Sequence, residues 1–351
     1  YKGVLTHGFT VDEQGYKMSK SLGNKVSPRQ IANTLGADIL RLWTAATDYR
    51  GEMSFSEEIL QRTADSYRRM RNTQRFLLGN LFDFDPTKDR LDVDQLLDLD
   101  RWMLARTAEL QALIQADYEA FEFHQIYQRI HNFCVVDMGG FYLDVIKDRL
   151  YTMQADSRGR RSAQTVIYHM AEALVRWLAP ILSFTAEEIW QSMPGERDES
   201  VFLATWYDLP PVAKETTIDW PLLLAVRDGV TRELERLRQD KVIGGALDAG
   251  VTVYGSGRVQ EVLKALGDEL RFVLITSRAE VGDRDARPST ATPLQLESGD
   301  DYYLEVASEQ AEKCERCWHR RADVGSTPEH PTLCGRCATN VAGAGEVREF
   351  A

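Results

Sequence analysis

The sequence has no run of about 18 consecutive apolar residues, so nothing in it reads as a membrane-spanning helix. It has no excess of positive charge. Its 42 Lys and Arg stand against 54 Asp and Glu, a net charge of −12, which excludes a protein basic over its whole surface. A nucleic-acid partner stays open, because binding requires only a local basic face. Internal repeats and low-complexity tracts are missing, and 43% hydrophobic with 27% charged residues excludes a disordered chain. Cysteine is scarce, with five in 351 residues, too few for a disulfide scaffold. The chain opens at Tyr1 with no Met, no charged segment and no apolar signal core, so a secretory signal is not expected. We expect the C-terminal piece of a longer protein, cytoplasmic, monomeric and kept in a reducing compartment. At 351 residues it exceeds what one core sustains, which predicts several domains.

Residues 4–11 alternate around Gly8 and suggest a strand, and Asp12 to Gly15 carries turn chemistry. Ser27-Pro28 predicts a helix start, with Gln30 placed for a capping box, and Gly36 a helix end. A second helix is expected from Asp38 to Ala46. Ser56 followed by Glu57 and Glu58 predicts a capped long helix with acids in its first turn. Helical periodicity then dominates to about Ile189, with the clearest stripe running from Phe123 to Val145, and reads as a helix bundle. Gly139-Gly140 inside that stripe suggests a close helix crossing. Trp102, Trp177 and Trp190 lie on apolar stripes and are expected in the core. Residues 194–219 read as a connector and 283–299 as a polar loop. Between them, Val251–Gly255, Leu270–Ser277 and Tyr302–Ala307 look like strands of a small α/β unit.

The densest chemistry lies in Lys17-Met18-Ser19-Lys20-Ser21. Two ammonium groups and two hydroxyls fall within five residues, flanked by Gly15 and Gly23. Ammonium point charges suit polyphosphate oxygens, and a mobile loop can close on them and stabilise charge on a pyrophosphate leaving group. Leu22-Gly23-Asn24, Gly36-Ala37-Asp38 and Leu40-Arg41-Leu42-Trp43 follow it. With this context the chain resembles the class I aminoacyl-tRNA synthetases, whose second signature is KMSKS. The resemblance implies the tail of a Rossmann-type catalytic domain. It also implies that Lys17, Met18, Ser19, Lys20 and Ser21 bind ATP with Mg2+, and that Lys17 and Lys20 act catalytically. The family's first signature, HIGH, has no counterpart, since Thr6-His7-Gly8-Phe9 is a different string.

The helical middle then looks like the family's anticodon-binding domain. Residues 62–75 hold Arg62, Arg68, Arg69, Arg71 and Arg75 against Asp65, and residues 147–161 hold Lys147, Arg149, Arg158, Arg160 and Arg161 against Asp148 and Asp156. Arginine contacts phosphate and stacks on splayed bases, although basic runs also serve as solvated helix faces.

Cys314-x2-Cys317 and Cys334-x2-Cys337 have the spacing of a four-cysteine zinc site, closed to water and therefore structural. Arg316, Arg320, Arg321 and Arg336 could offset the thiolate charge, and His319 and His330 are spare donors. Cys134 sits on an apolar stripe and is expected to be inert. The ending, from CERCWHRR through HPTLCGRC to EVREFA, resembles the zinc module of the bacterial isoleucyl branch of the family. The finger type also resembles that of formamidopyrimidine-type DNA glycosylases, which lack KMSKS. The resemblance implies isoleucine, ATP and tRNA(Ile) as partners of the parent enzyme, and an alternative role for this chain as a stand-alone tRNA-binding module. Arg68, Arg71, Arg75, Trp318, Arg320 and Arg321 are the candidate tRNA contacts. The expected fold is multidomain and mainly α: a catalytic-domain tail at 1–50, a helical anticodon-binding bundle at 51–215, a small α/β unit at 216–308 and the zinc module at 309–351.

Overall fold

The computed structural model describes residues 1, 3–213, 216–297 and 299–351, so parts of the expected connector and polar loop lie outside the described residues. It divides into two compact units. The first comprises Tyr1–Lys88, Leu104–Asp144 and Val166–Pro211, and the second Asp89–Met103, Val145–Thr165 and Val212–Ala351.

In the first unit, residues 4–9 have no regular structure and only Thr10–Val11 (β1) of the expected strand forms a ladder, parallel to Met53–Ser54 (β2). Gly8 packs its backbone against that of Gly51 so closely that a Cβ would lie 1.9 Å from the Gly51 carbonyl oxygen, which requires glycine there. Pro28–Thr34 (α1) opens with Pro28 as expected, though the Ser27 side chain makes no capping bond. Ala37–Ala46 (α2) follows, then Glu57–Gly79 (α3), where the Ser56 hydroxyl accepts from the Ile59 N–H at 3.1 Å. A cap of this kind stabilises by about 1 kcal/mol. Ile31, Trp43, Met53, Phe55 and Leu60 form the local core, with Trp43 and Phe55 edge to face at 5.3 Å. Met18 packs on this core and so tethers the loop that carries it.

The rest of this unit is helical. Asp98–Glu119 (α4) and Arg158–Leu178 (α7) contribute their parts from residues 104 and 166 on, together with Phe123–Asn132 (α5) and Ser183–Trp190 (α8). Trp177 and Trp190 are buried as expected, and the Trp177 ring N–H donates to Gln111 Oε1 at 2.9 Å. Asp38 of α2 receives α8, accepting from the Thr185 N–H at 2.7 Å and the Thr185 hydroxyl at 2.6 Å. The periodic stripe from Phe123 to Val145 departs from expectation. Residues Phe133–Tyr142 are π-helical before Leu143–Thr152 (α6) resumes the α register. Gly139 and Gly140 are solvent-exposed, so no helix crosses there. Their missing side chains instead make room for the helix's own carbonyls, since a Cβ would stand 3.0 Å from Cys134 O and 3.3 Å from Val135 O.

In the second unit, Ala249–Gly255 (β3), Arg278–Asp283 (β4), Thr292–Gln295 (β5) and Asp301–Ser308 (β6) form a mixed sheet of order β4-β3-β6-β5, in which β3 and β4 are parallel. Trp220–Gln239 (α9), Gly257–Ala265 (α10) and Leu270–Leu274 (α11) accompany it. The expected strand at 270–277 is therefore a short helix. Leu270, Arg271, Phe272, Val273 and Leu274 are all buried, and an apolar run buried all round carries no period to distinguish strand from helix. Ile275 ends the helix in the left-handed region at φ 57°. Gly335–Ala342 (α12) closes the cysteine-bearing segment.

Candidate functional site

The KMSKS segment follows β1 as an exposed loop held by hydrogen bonds of its own. Lys17 pairs across an antiparallel bridge with Val11, and the Met18 N–H donates to Thr10 O at 3.1 Å. Asp12 accepts from the Gln14 and Tyr16 N–H groups at 3.1 and 2.8 Å, closing the turn before the motif. Within the motif the Ser19 and Ser21 hydroxyls are 3.1 Å apart, and the Leu22 N–H donates to Ser19 Oγ at 3.2 Å. Asn24 bridges the loop. Its Oδ1 accepts from the Ser19 N–H at 2.9 Å, and its Nδ2 donates to Asp12 Oδ2 at 2.8 Å. The Asn24 bond, then the Tyr16 N–H, hold the Asp12 carboxyl below its ordinary value.

Both lysines are exposed but differ in setting. The Lys17 ammonium lies 3.7 Å from the centroid of the Phe9 ring, a cation–π contact. The Lys20 ammonium has no hydrogen-bond or ion-pair partner among the described residues, so it is available to an anion. His7 does not join them: its Nδ1 lies 2.7 Å from Gly8 O. A cavity of about 600 Å³ in the same unit is lined by His7, Tyr49, Tyr118 and Phe123, and by none of the five motif residues.

The four candidate zinc ligands converge. The sulfurs of Cys314, Cys317, Cys334 and Cys337 all lie within 4.8 Å of one another and all four residues are buried. Two devices bring them together. A tight turn after Cys314 is closed by Trp318 N–H to Cys314 O at 2.9 Å, with Trp318 itself at φ 65°. The second pair sits at the start of α12, with Cys334 as its N-cap and Cys337 in its first turn, where the helix end favours thiolate. Sulfurs crowded this closely share protons. Hydrogen bonds from Cys334 and Cys337 hold the Cys317 thiol far below its usual range, and the bond to Cys317 pushes Cys334 up to about 11. A soft, buried, four-sulfur set with no further neighbour needed fits one tetrahedral Zn2+ with a structural role. His319 is not among the converging ligand atoms, and its Nδ1 lies 3.1 Å from Cys317 O.

The arginines expected to balance the cluster are largely committed to carboxylates. Arg320 pairs with Asp248 at 2.8 Å and Arg321 with Asp323 at 3.5 Å. Arg336 bonds Asp148 at 2.6 Å and Glu346 at 3.0 Å, while also lowering Cys317 through its charge. Arg348 joins the same group by pairing with Asp148 and Glu346. Sequence reading missed this group, because Asp148, which gathers it, stands 188 and 200 positions from Arg336 and Arg348 and leaves no local pattern.

The candidate tRNA contacts fall into two sets, one in each unit. Arg68, Arg71 and Arg75 share one exposed face of α3. Arg68 pairs with Asp65 and Arg71 with Glu188 at 2.7 Å, whereas Arg75 has no hydrogen-bond or ion-pair partner among the described residues. Trp318 is 61% exposed, with Lys313 Nζ 5.7 Å from its ring, and Arg320 and Arg321 are partly buried in the ion pairs above. Two arginines of the second basic run are different in kind. Arg149 is completely buried, forked onto Asp100 at 2.7 and 2.9 Å, and Arg160 is 8% exposed with its Nε on Leu150 O. Both are structural cations and offer nothing to an RNA.

Three family profiles match the chain: "tRNA synthetases class I (I, L, M and V)" at residues 1–56, "Anticodon-binding domain of tRNA ligase" at 100–253, and "Zinc finger found in FPG and IleRS" at 311–340. The chain therefore carries parts of a class I tRNA synthetase: a stretch of its catalytic domain, its anticodon-binding domain and a finger. The chain is 61% identical over its full length to the isoleucine–tRNA ligase of Halorhodospira halophila and 57% identical to that of Thioalkalivibrio sulfidiphilus, covering 38% of each relative. A solved leucyl-tRNA synthetase from Agrobacterium radiobacter aligns with 58% of this chain and 24% of its own, at 21% identity and a TM-score of 0.44. The chain corresponds to the C-terminal portion of the isoleucine–tRNA ligase family and spans about two fifths of the length of those relatives. No helix among the described residues is long and apolar enough to cross a membrane.

Proposed function

We propose that this chain serves an isoleucine–tRNA ligase as its ATP-closing loop and its tRNA-holding arm. In this reading the parent enzyme activates isoleucine with ATP and transfers it to tRNA(Ile) in the cytoplasm as a monomer. Residues 1–50 end the catalytic domain, 51–215 hold the anticodon region, 216–308 join the parts, and 309–351 form the zinc module. Residues 17–21 meet ATP with its Mg2+, and Lys17 and Lys20 neutralise charge that develops on the leaving pyrophosphate as the isoleucine carboxylate attacks the α-phosphorus. There is little covalent chemistry for side chains to perform in such a step, so positioning and charge carry the rate. The observation that carries the reading is the exposed Lys20 ammonium, unpartnered among the described residues, on a hydrogen-bonded loop within the class I profile match. Lys17 leaves the Phe9 ring to take part, a short swing for a flexible stem.

Arg68, Arg71 and Arg75, with Trp318, Arg320 and Arg321, are the proposed RNA contacts, with Arg75 the one whose charge needs no partner released. By itself the chain binds tRNA without charging it. The test is Lys20→Ala in the full-length enzyme. Isoleucine-dependent ATP–pyrophosphate exchange should fall by about two or more orders of magnitude, as for loss of one transition-state charge contact. The dissociation constant for tRNA should stay within about twofold. Equal exchange rates in variant and parent would refute the assignment of Lys20.

A further inference from the structure

We propose that Asn24 is a positioning residue for Lys20, acting with Asp12 as a clip that holds the KMSKS loop in shape before any nucleotide arrives. The inference rests on the reading of that loop as ATP-binding. Neither residue touches the motif's ammonium groups; their effect is on the backbone that aims them. The Asn24 side chain is half-buried and uses both ends of its amide. Its carbonyl takes the N–H of Ser19, the residue directly before Lys20, at 2.9 Å. Its amino group donates to Asp12 Oδ2 at 2.8 Å, with Lys17 O at 3.5 Å. Asp12 in turn is fixed from the other side by the N–H groups of Gln14 and Tyr16. One side chain therefore joins the turn before the motif, the middle of the motif and the segment leaving it.

The geometry beyond the clip follows from it. Between Ser19 and Asn24 the chain makes a closed turn in which the Gly23 N–H donates to Lys20 O at 3.3 Å and the Leu22 N–H to Ser19 Oγ at 3.2 Å. Gly23 takes a φ of 70°, a conformation glycine adopts without strain. Lys20 opens this turn, with its backbone pinned and its ammonium unpartnered among the described residues. Ordering the turn in advance removes an entropy loss that ATP binding would otherwise carry, which is the benefit of preorganised charge. A contact that merely glued the loop to the surface would not matter to the rate.

The pairing also defines its own test, because it is a carboxylate accepting from an amide and can be reversed. Asn24→Asp would set two carboxylates against each other at the distance now spanned by a hydrogen bond. Adding Asp12→Asn would restore one donor and one acceptor with their places exchanged. In the full-length enzyme, Asn24→Asp should lower kcat/KM for ATP in isoleucine-dependent pyrophosphate exchange about 10- to 100-fold, the scale of an ångström's misplacement. The double variant Asp12→Asn/Asn24→Asp should recover to within about threefold of the parent. Exchange at the parent rate in Asn24→Asp, or a double variant no better than Asn24→Asp, overturns the proposal. A parent enzyme with no isoleucine-dependent exchange sinks the functional reading instead. The clip is then decided by hydrogen exchange at the Ser19 amide, protected in the parent and the double variant and fast in Asn24→Asp; equal protection in all three overturns it.

Discussion

Replacing Arg149 by alanine separates a structural cation from an RNA-facing one. The Arg149 guanidinium and the Asp100 carboxylate are both fully buried, joined by two bonds of 2.7 and 2.9 Å, and Arg149 also donates to Gly159 O at 3.0 Å. The Ser162 hydroxyl donates to the same carboxylate. Truncating Arg149 removes the forked guanidinium from the buried Asp100 carboxylate, and breaking a buried pair in this way costs about 3–5 kcal/mol. At about 1.4 kcal/mol per decade this lowers the folding equilibrium constant of the second unit by roughly two to three and a half orders of magnitude. Arg62→Ala is the contrast, because its pair with Glu58 is 77% and 72% exposed and should contribute below about 0.5 kcal/mol. The assay is urea unfolding followed by circular dichroism, with amide exchange in α6 reporting the local opening. Arg149→Met combined with Asp100→Leu should regain most of the loss, since a packed apolar pair replaces a buried ion pair at little cost. Under conditions where Arg149→Ala remains folded, its affinity for tRNA and the salt dependence of that affinity should match the parent. Equal stability of the Arg149→Ala and Arg62→Ala proteins, or a flatter salt dependence in the former, would refute the structural assignment.

Three further outcomes follow from the other contacts. Reduced protein should carry about one zinc per chain, and Cys317→Ser should lose it and open the segment around α12, as read by metal analysis and exchange; less than about half an equivalent in the parent contradicts a closed site. Burial alone would raise the Asp148 carboxyl, but the charges of Arg348 and Arg336 outweigh it and lower the group below its ordinary value. Its stabilising contribution is therefore present above the usual carboxylate range, near pH 4, and fades as pH falls below it. Melting temperatures from about pH 6 to pH 2 should drop less steeply in Asp148→Asn than in the parent. Arg75→Ala should weaken tRNA binding uniformly across sequences and reduce the salt slope by about one; an unchanged slope removes Arg75 from the interface.

What could be read in advance was chemistry confined to a few neighbouring residues. The Ser56 cap with its acidic first turn, Pro28 at a helix start, the KMSKS loop and the paired Cys-x2-Cys turns each carry their cause within about five positions. The misreadings share the opposite trait. Leu270–Leu274 is helical because it is buried on every side, which erases the period. The strand Arg278–Asp283 has a charged, non-alternating sequence and exists through its parallel pairing to β3. Arg149 and Arg160 looked like surface charge until the fold enclosed them, Arg149 against Asp100 and Arg160 against the Leu150 carbonyl. Asn24 gave no signal as a clip, since its partner stands twelve residues back across a turn.

The π-helical stretch from Phe133 to Tyr142 bears on how sequences of this kind should be compared. Each of its turns consumes more chain than an α turn, so it stores surplus length inside a continuous rod. A homologue shorter by one residue could release that surplus and keep the flanking segments in phase with their neighbours. Single-residue gaps in an alignment therefore belong within these ten positions, and a scan of deletions along the rod should find its most tolerant site there.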